Sequence, residues 1–124
     1  MSTDTAGIDL DKLFASIDGM DAESFVQFLT EDGVFRFGSA PPVQGRAAAQ
    51  AAVDGFFSTI AALRHTLHRV IAHDDTIVCE GEVTYTRIDG SDITLPFCDV
   101  FEVSGGLISA YLIYMDIAPL FAAD

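Results

Sequence analysis

Two aspartates stand among apolar residues near the end of the chain, in TLPFCDVFEVSGGLISAYLIYMD, residues 94–116. Side chains alternate along a strand, so Phe97, Asp99, Phe101 and Val103 share one face of the first apolar run. In the second run Leu112, Tyr114 and Asp116 share a face, and Tyr111, Ile113 and Met115 share the other. An ionised carboxylate in apolar surroundings must be paired, hydrogen-bonded or protonated, and each of those states is useful for moving a proton. Asp99, kept protonated, would donate to an oxygen that develops negative charge. Bonded to a backbone group, to Arg69 or to Arg87, it would be structural. Asp116 would exchange a proton with a carbonyl or enol if desolvation raised its pKa; its other reading is a cap on the turn before Ala118-Pro119. His65, on the strand face of Leu67, Arg69 and Ile71, is the candidate proton carrier, paired with Asp116 or Asp99. Bonded to a carbonyl, it is an ordinary histidine at the edge of a core.

Around these three candidate catalytic residues stand candidate ligand contacts. The phenol of Tyr114 would orient a ligand oxygen. Glu80 and Glu82 share a strand face with Val78, Thr84 and Thr86. If that face lines a pocket, Glu82 approaches Asp116, and two carboxylates push one pKa up; if it faces water, the pair is a solvated stripe. Phenylalanine is abundant, with 10 in 124 residues. Most belong to the core, but Phe14, Phe35, Phe37, Phe57, Phe97 and Phe101 would also give a pocket suited to a flat or polycyclic apolar ligand. His68 falls on the opposite face from His65, and His73 falls in a turn. Cys79 and Cys98 form no Cys-x-x-Cys pair and have no Cys/His spacing suited to zinc, so neither a metal site nor a cofactor is expected.

Residues 1–7 are small and polar and are expected to be disordered, leaving 8–124 as a single domain. Ile8, Leu10, Leu13, Phe14 and Ile17 follow helical spacing up to Gly19, and Asp21 is the N-cap of a second short helix. Glu31-Asp32-Gly33 reads as a turn before a short strand over residues 34–37. Val53, Phe56, Phe57 and Ile60 make the stripe of an Ala-rich third helix over residues 45–60. From Leu63 the period changes to two. Four strands follow, broken at His73-Asp74-Asp75, Asp89-Gly90-Ser91 and Ser104-Gly105-Gly106, which are short enough for hairpins. Helices first and strands after predict an α+β fold, with three helices packed on one face of a curved antiparallel sheet.

With 19 acidic residues against 6 basic ones, the net charge of −13 repels phosphate backbones and anionic lipid, so nucleic acid is not an expected partner. No apolar run approaches the ~20 residues of a membrane span. The first eleven residues lack the basic start and apolar core of a signal peptide, and a cytoplasmic location is expected.

The order of elements resembles the nuclear transport factor 2-like fold, and within it the SnoaL-like polyketide cyclases, ketosteroid isomerases and limonene epoxide hydrolases. FLTEDGVFRF, PPVQGRAAAQAAV, RHTLHRV and the closing CDVFEVSGGLISAYLIYMD carry the likeness, over roughly residues 8–121. The resemblance implies a helix-covered, cone-shaped apolar pocket. It places Asp116 at the catalytic aspartate of the cyclases and hydrolases, and Asp99 at the protonated aspartic acid of the isomerases. His65 falls near a strand histidine of SnoaL-like proteins and scytalone-type dehydratases, and Asp18 falls near the dehydratase aspartate. The isomerase base falls at Phe37 and its tyrosine donor at Phe14. The hydrolase arginine and strand aspartate fall at Glu82 and Thr84, and its water-positioning tyrosine and asparagine at Phe35 and Phe37. Neither of those two reactions is therefore expected. The implied activity is cofactor-independent acid/base chemistry, a cyclisation, isomerisation or dehydration, on a hydrophobic oxygenated small molecule. The competing class is a non-catalytic ligand-binding or dimerisation module of the same fold. A homodimer through the outer sheet face is expected, with Ile77, Cys79, Val83 and Tyr85 facing outward if Glu82 points in.

Overall fold

The computed structural model describes residues 4–122. The period-two segments become four strands, β5 (Ala62–His73), β6 (Thr76–Thr86), β7 (Asp92–Ser104) and β8 (Leu107–Tyr114), joined as an antiparallel meander; here β1 to β4 are the strands that precede them. β6 decides which face is inside. Ile77, Cys79, Gly81, Val83 and Tyr85 are buried, while Glu80 and Glu82 are exposed. The opposite orientation, with Ile77, Cys79, Val83 and Tyr85 outward, is not adopted, because it would bury two carboxylates and expose four large apolar side chains.

Strand β3 (Leu29–Phe37) joins this sheet beside β8, and β4 (Val43–Gln44) adds an edge, giving the order β4-β3-β8-β7-β6-β5. The expected α+β class holds, but the sheet is mixed, since β3 and β8 run parallel. Their ladder seats Phe35 beside Tyr111 and Phe37 beside Ile113. Glu31-Asp32-Gly33 lies inside β3 as an irregularity: Leu29 pairs with Ile108, and the next pair is Val34 with Ala110. Turn chemistry here produces a bulge in a strand.

The register of β5 also slips. Leu67 pairs with Gly81 and Arg69 with Glu80, so His68 is an extra residue opposite β6. A Cβ on Gly81 would lie 2.0 Å from the Thr66 carbonyl oxygen, so the close approach requires glycine. The bulge leaves His65 and Leu67 on the inner side and sends both His68 and Arg69 outward, where they meet Glu82 at 2.9 Å and Glu80 at 3.6 Å.

Helices cover the inner face. α1 (Leu10–Asp18) is capped by Asp9, whose carboxylate accepts from the Lys12 N–H, and Gly19 closes it as expected. α2 (Ala22–Phe25) is a single turn capped by Asp21, continued by a 3-10 turn over Val26–Phe28. α3 (Arg46–Phe57) begins after Gly45, whose φ of 94° suits only glycine, and buries Ala49, Val53 and Phe57. Arg46 ties this helix to the end of the 3-10 turn by two hydrogen bonds to the Leu29 carbonyl. A short α4 (Ala118–Phe121), which the sequence pattern does not announce, follows β8. Residues 4–5, expected to be disordered, form β1 (Asp4–Thr5), paired with β2 (Ile8–Asp9); residues 1–3 of that expected segment lie outside the described residues. Tyr111 is the hub of the core, with the rings of Phe101, Phe25 and Phe35 centred 4.4, 5.1 and 5.7 Å away.

Candidate active site

Between helices and sheet lies a cavity of about 600 Å³. Its wall is mostly aromatic and aliphatic, with contributions from Phe25, Phe35, Phe37, Phe56, Phe57 and Phe97. Polar groups enter at a few places only: His65, Tyr85, Asp99 and Tyr111 within, and Ser39 and Asp116 at the rim.

His65 is set on β5 with its ring against two phenylalanines, Phe14 and Phe97, each centred 5.1 Å away. Its Nδ1 lies 2.6 Å from Asp18 Oδ1, and its backbone N–H donates to Asp18 Oδ2 at 3.0 Å. Both Asp18 oxygens are thus spent on one residue. Phe14 and Asp18 are one helical turn apart on α1, so a single helix face supplies both the stacking ring and the carboxylate. A carboxylate in the last turn of a helix faces the negative end of the dipole, a placement that its histidine partner offsets. In the neutral tautomer with Nδ1–H directed at Asp18, Nε2 is left as an acceptor, and no hydrogen-bond partner for Nε2 occurs among the described residues. The expected pairing of His65 with Asp116 or Asp99 is replaced by this one. The two partners are 47 positions apart in sequence, and no local pattern links them.

Asp99 is 2% exposed on the inner face of β7. The Tyr111 hydroxyl donates to Oδ2 over a long 3.5 Å, and Oδ1 is buried with no hydrogen-bond partner. Neither Arg69 nor Arg87 reaches it: Arg69 pairs with Glu80, and Arg87 donates to the carbonyls of Pro119 and Leu120. Burial pushes the carboxyl well above the usual range, and the single long bond from Tyr111 only partly offsets this. Burial therefore favours the protonated, uncharged form of Asp99. Opposite it on β6, Cys79 is raised to about 12 by burial and by Asp99, and so remains a thiol.

Asp116 is exposed at the cavity mouth, where its Oδ1 accepts the Ala118 N–H at 3.0 Å and starts α4. Tyr114, expected to contact ligand, is 54% exposed on the outer face, because the inner face of β8 belongs to Tyr111 and Ile113. Glu82 also points outward, with a side chain 51% exposed and bonded to His68. Phe35, Phe37, Phe57 and Phe97 line the cavity. Phe14 and Phe101 stand one layer behind it, one against His65 and the other beneath Tyr111. Tyr85 was missed from sequence. Its period-two relation to Val83 was visible, but the choice of face was left open.

With this geometry in place, comparison with known proteins defines the class. Residues 10–111 match the SnoaL-like domain family, and the chain belongs to it. No curated protein sequence matches. Among solved structures, an NTF2-like protein of unknown function from Burkholderia pseudomallei superposes with a TM-score of 0.82 at 18% identity, covering 90% of this chain and 91% of that one. An epoxide hydrolase of the limonene epoxide hydrolase-like type from M. tuberculosis gives 0.74 at 17% identity, covering 90% and 83%. The epoxide hydrolase/cyclase-like enzyme SalBIII, associated with pyran ring formation in the polyether salinomycin, gives 0.75 at 16% identity, covering 88% of each chain. Among the described residues, no helix is long and apolar enough to cross a membrane.

Proposed function

We infer that this protein is a small-molecule enzyme whose cavity performs acid/base chemistry on a hydrophobic oxygenated compound. One observation carries the inference: a histidine held by a carboxylate and a buried aspartic acid with one oxygen lacking a hydrogen-bond partner line the same apolar cavity. In this reading Nε2 of His65 removes a proton from carbon beside a carbonyl, and Asp18 steadies the imidazolium that results. The C–H electron pair moves into the carbonyl, and the Asp99 O–H donates to the oxygen as negative charge collects there. Return of the proton from His65 to another carbon is an isomerisation; its delivery to a departing hydroxyl is a dehydration. Attack of the enolate carbon on a second carbonyl is a cyclisation. SalBIII is named for pyran ring formation in a polyether, which supports an oxygenated small molecule as the substrate class. Proton transfer is assigned to His65 and not to Asp116, because Asp116 is solvated and already caps α4.

The apolar majority of the wall favours a second reading, a carrier that holds such a ligand without changing it. Carboxyl-carbon and imidazole-nitrogen NMR, with and without a panel of polycyclic ketones, tests the enzyme reading. Asp99 protonated at neutral pH, His65 as the Nδ1–H tautomer, and shifts of both on ligand addition are expected. An ionised Asp99 that ignores every ligand would overturn it.

A further inference from the structure

Tyr85 is 2% exposed, faces the cavity from β6 and packs edge-on against Phe56 at 5.6 Å. A buried tyrosine ordinarily finds a good acceptor for its hydroxyl. Here the hydroxyl meets only the Met115 sulfur, at 3.7 Å, and a thioether is a weak acceptor. A strong donor is therefore held inside an apolar cavity without an adequate partner. Burial raises the phenol above its ordinary pKa, and the nearby Asp18 carboxylate adds to this, so the group stays a donor and does not act as a base.

The sheet register places this donor beside the histidine. His65 pairs with Val83 and Leu63 with Tyr85, which makes His65 and Tyr85 diagonal neighbours on one face, a spacing across which long side chains reach one molecule. Asp99 is a second unsatisfied position in the same wall, on the neighbouring strand β7. Two separate vacancies for hydrogen bonds in an otherwise apolar surface define a ligand with two oxygens.

We propose that the Tyr85 hydroxyl is a ligand-binding donor and that, with Asp99, it selects a flat apolar compound carrying two acceptor oxygens, a hydroxyketone or diketone. This rests on the cavity being the ligand site. The oxygen held by Asp99 is the carbonyl on which charge collects, and the second oxygen, held by Tyr85 on the strand beside His65, fixes which carbon of the skeleton meets the base.

The test uses three probes of similar shape: tetralin with no oxygen, 1-tetralone with one, and 6-hydroxy-1-tetralone with two. Affinity for the wild-type protein is expected to rise in that order. Tyr85→Phe, which keeps the ring and its packing on Phe56, is expected to weaken 6-hydroxy-1-tetralone about five- to tenfold, the worth of one hydrogen bond, while leaving tetralin unchanged. Binding of 1-tetralone, whose one oxygen is held by Asp99, should change little in that variant. Tyr85→Phe should melt no lower than the wild type, because the lost hydroxyl had only a sulfur partner. Equal affinity of all three probes for both proteins, or equal weakening of tetralin, would overturn the role of Tyr85. Failure of all three to bind the wild type would instead overturn the cavity as a ligand site.

Discussion

At the scale of single residues, Asp99 gives the most direct physical signature. Its carboxyl has a higher pKa folded than unfolded, so between about 3.9 and the folded value the native state holds one more proton than the unfolded chain. Stability from this group is complete below about pH 3.9 and is lost as pH rises through the folded pKa, by about 1.4 kcal/mol for each pH unit crossed. Asp99→Asn removes the titration. Relative to the wild type, the variant is expected to gain stability steadily from mildly acidic towards neutral pH, with no such gain below about pH 3.9. Parallel denaturation profiles at all pH values would show that Asp99 is ionised in the native state. Asp21 and Asp89 do the opposite: each is exposed and lowered by bonds from a nearby serine, so neither imitates the effect of Asp99.

Among the elements, β5 and β6 aim the site, and the bulge between them is the critical joint. Gly81→Ala would force a methyl group against the carbonyl of Thr66, the residue next to His65, whose backbone N–H donates to Asp18. A loss of about 2–3 kcal/mol is expected in chemical denaturation, with a displaced His65 ring signal in the folded fraction. A wild-type stability would mean that the strands separate there without cost. The strands themselves were legible, because period-two alternation from Leu63 onward can satisfy only a sheet. So were Gly19 and the Asp21 cap, which act through their nearest neighbours. The face of β6 was left open by the resemblance-led placement of Glu82 near Asp116, although Ile77, Cys79, Val83 and Tyr85 against Glu80 and Glu82 already favour burying the apolar side. Asp18 as the partner of His65 was not legible. A contact across 47 residues depends on where α1 lands on the sheet, and nothing near either residue encodes that.

For the whole molecule, the outer sheet face bears on assembly. Ile71, Val78, Val100 and Leu112 are directly paired from strand to strand, forming one apolar row across β5, β6, β7 and β8, with Tyr114 exposed beside it. Such an apolar row suits self-association of two like faces. Sedimentation at micromolar concentration is expected to give a dimer, and Val100→Lys a monomer with an unchanged melting point. A monomeric wild type would contradict this. The residues first expected there, Ile77, Cys79, Val83 and Tyr85, form the inner wall and core instead.

The central claim is that His65, steadied by Asp18, moves protons inside the cavity. Hydrogen–deuterium exchange at the carbon beside the carbonyl of 6-hydroxy-1-tetralone, followed by NMR in heavy water, measures that step without knowledge of the natural product. The wild type is expected to accelerate exchange, with His65→Asn slower by a factor of about 10² or more while still binding the ketone. Equal exchange by the two proteins, with the ketone bound to both, would contradict the claim and leave the cavity as a carrier site.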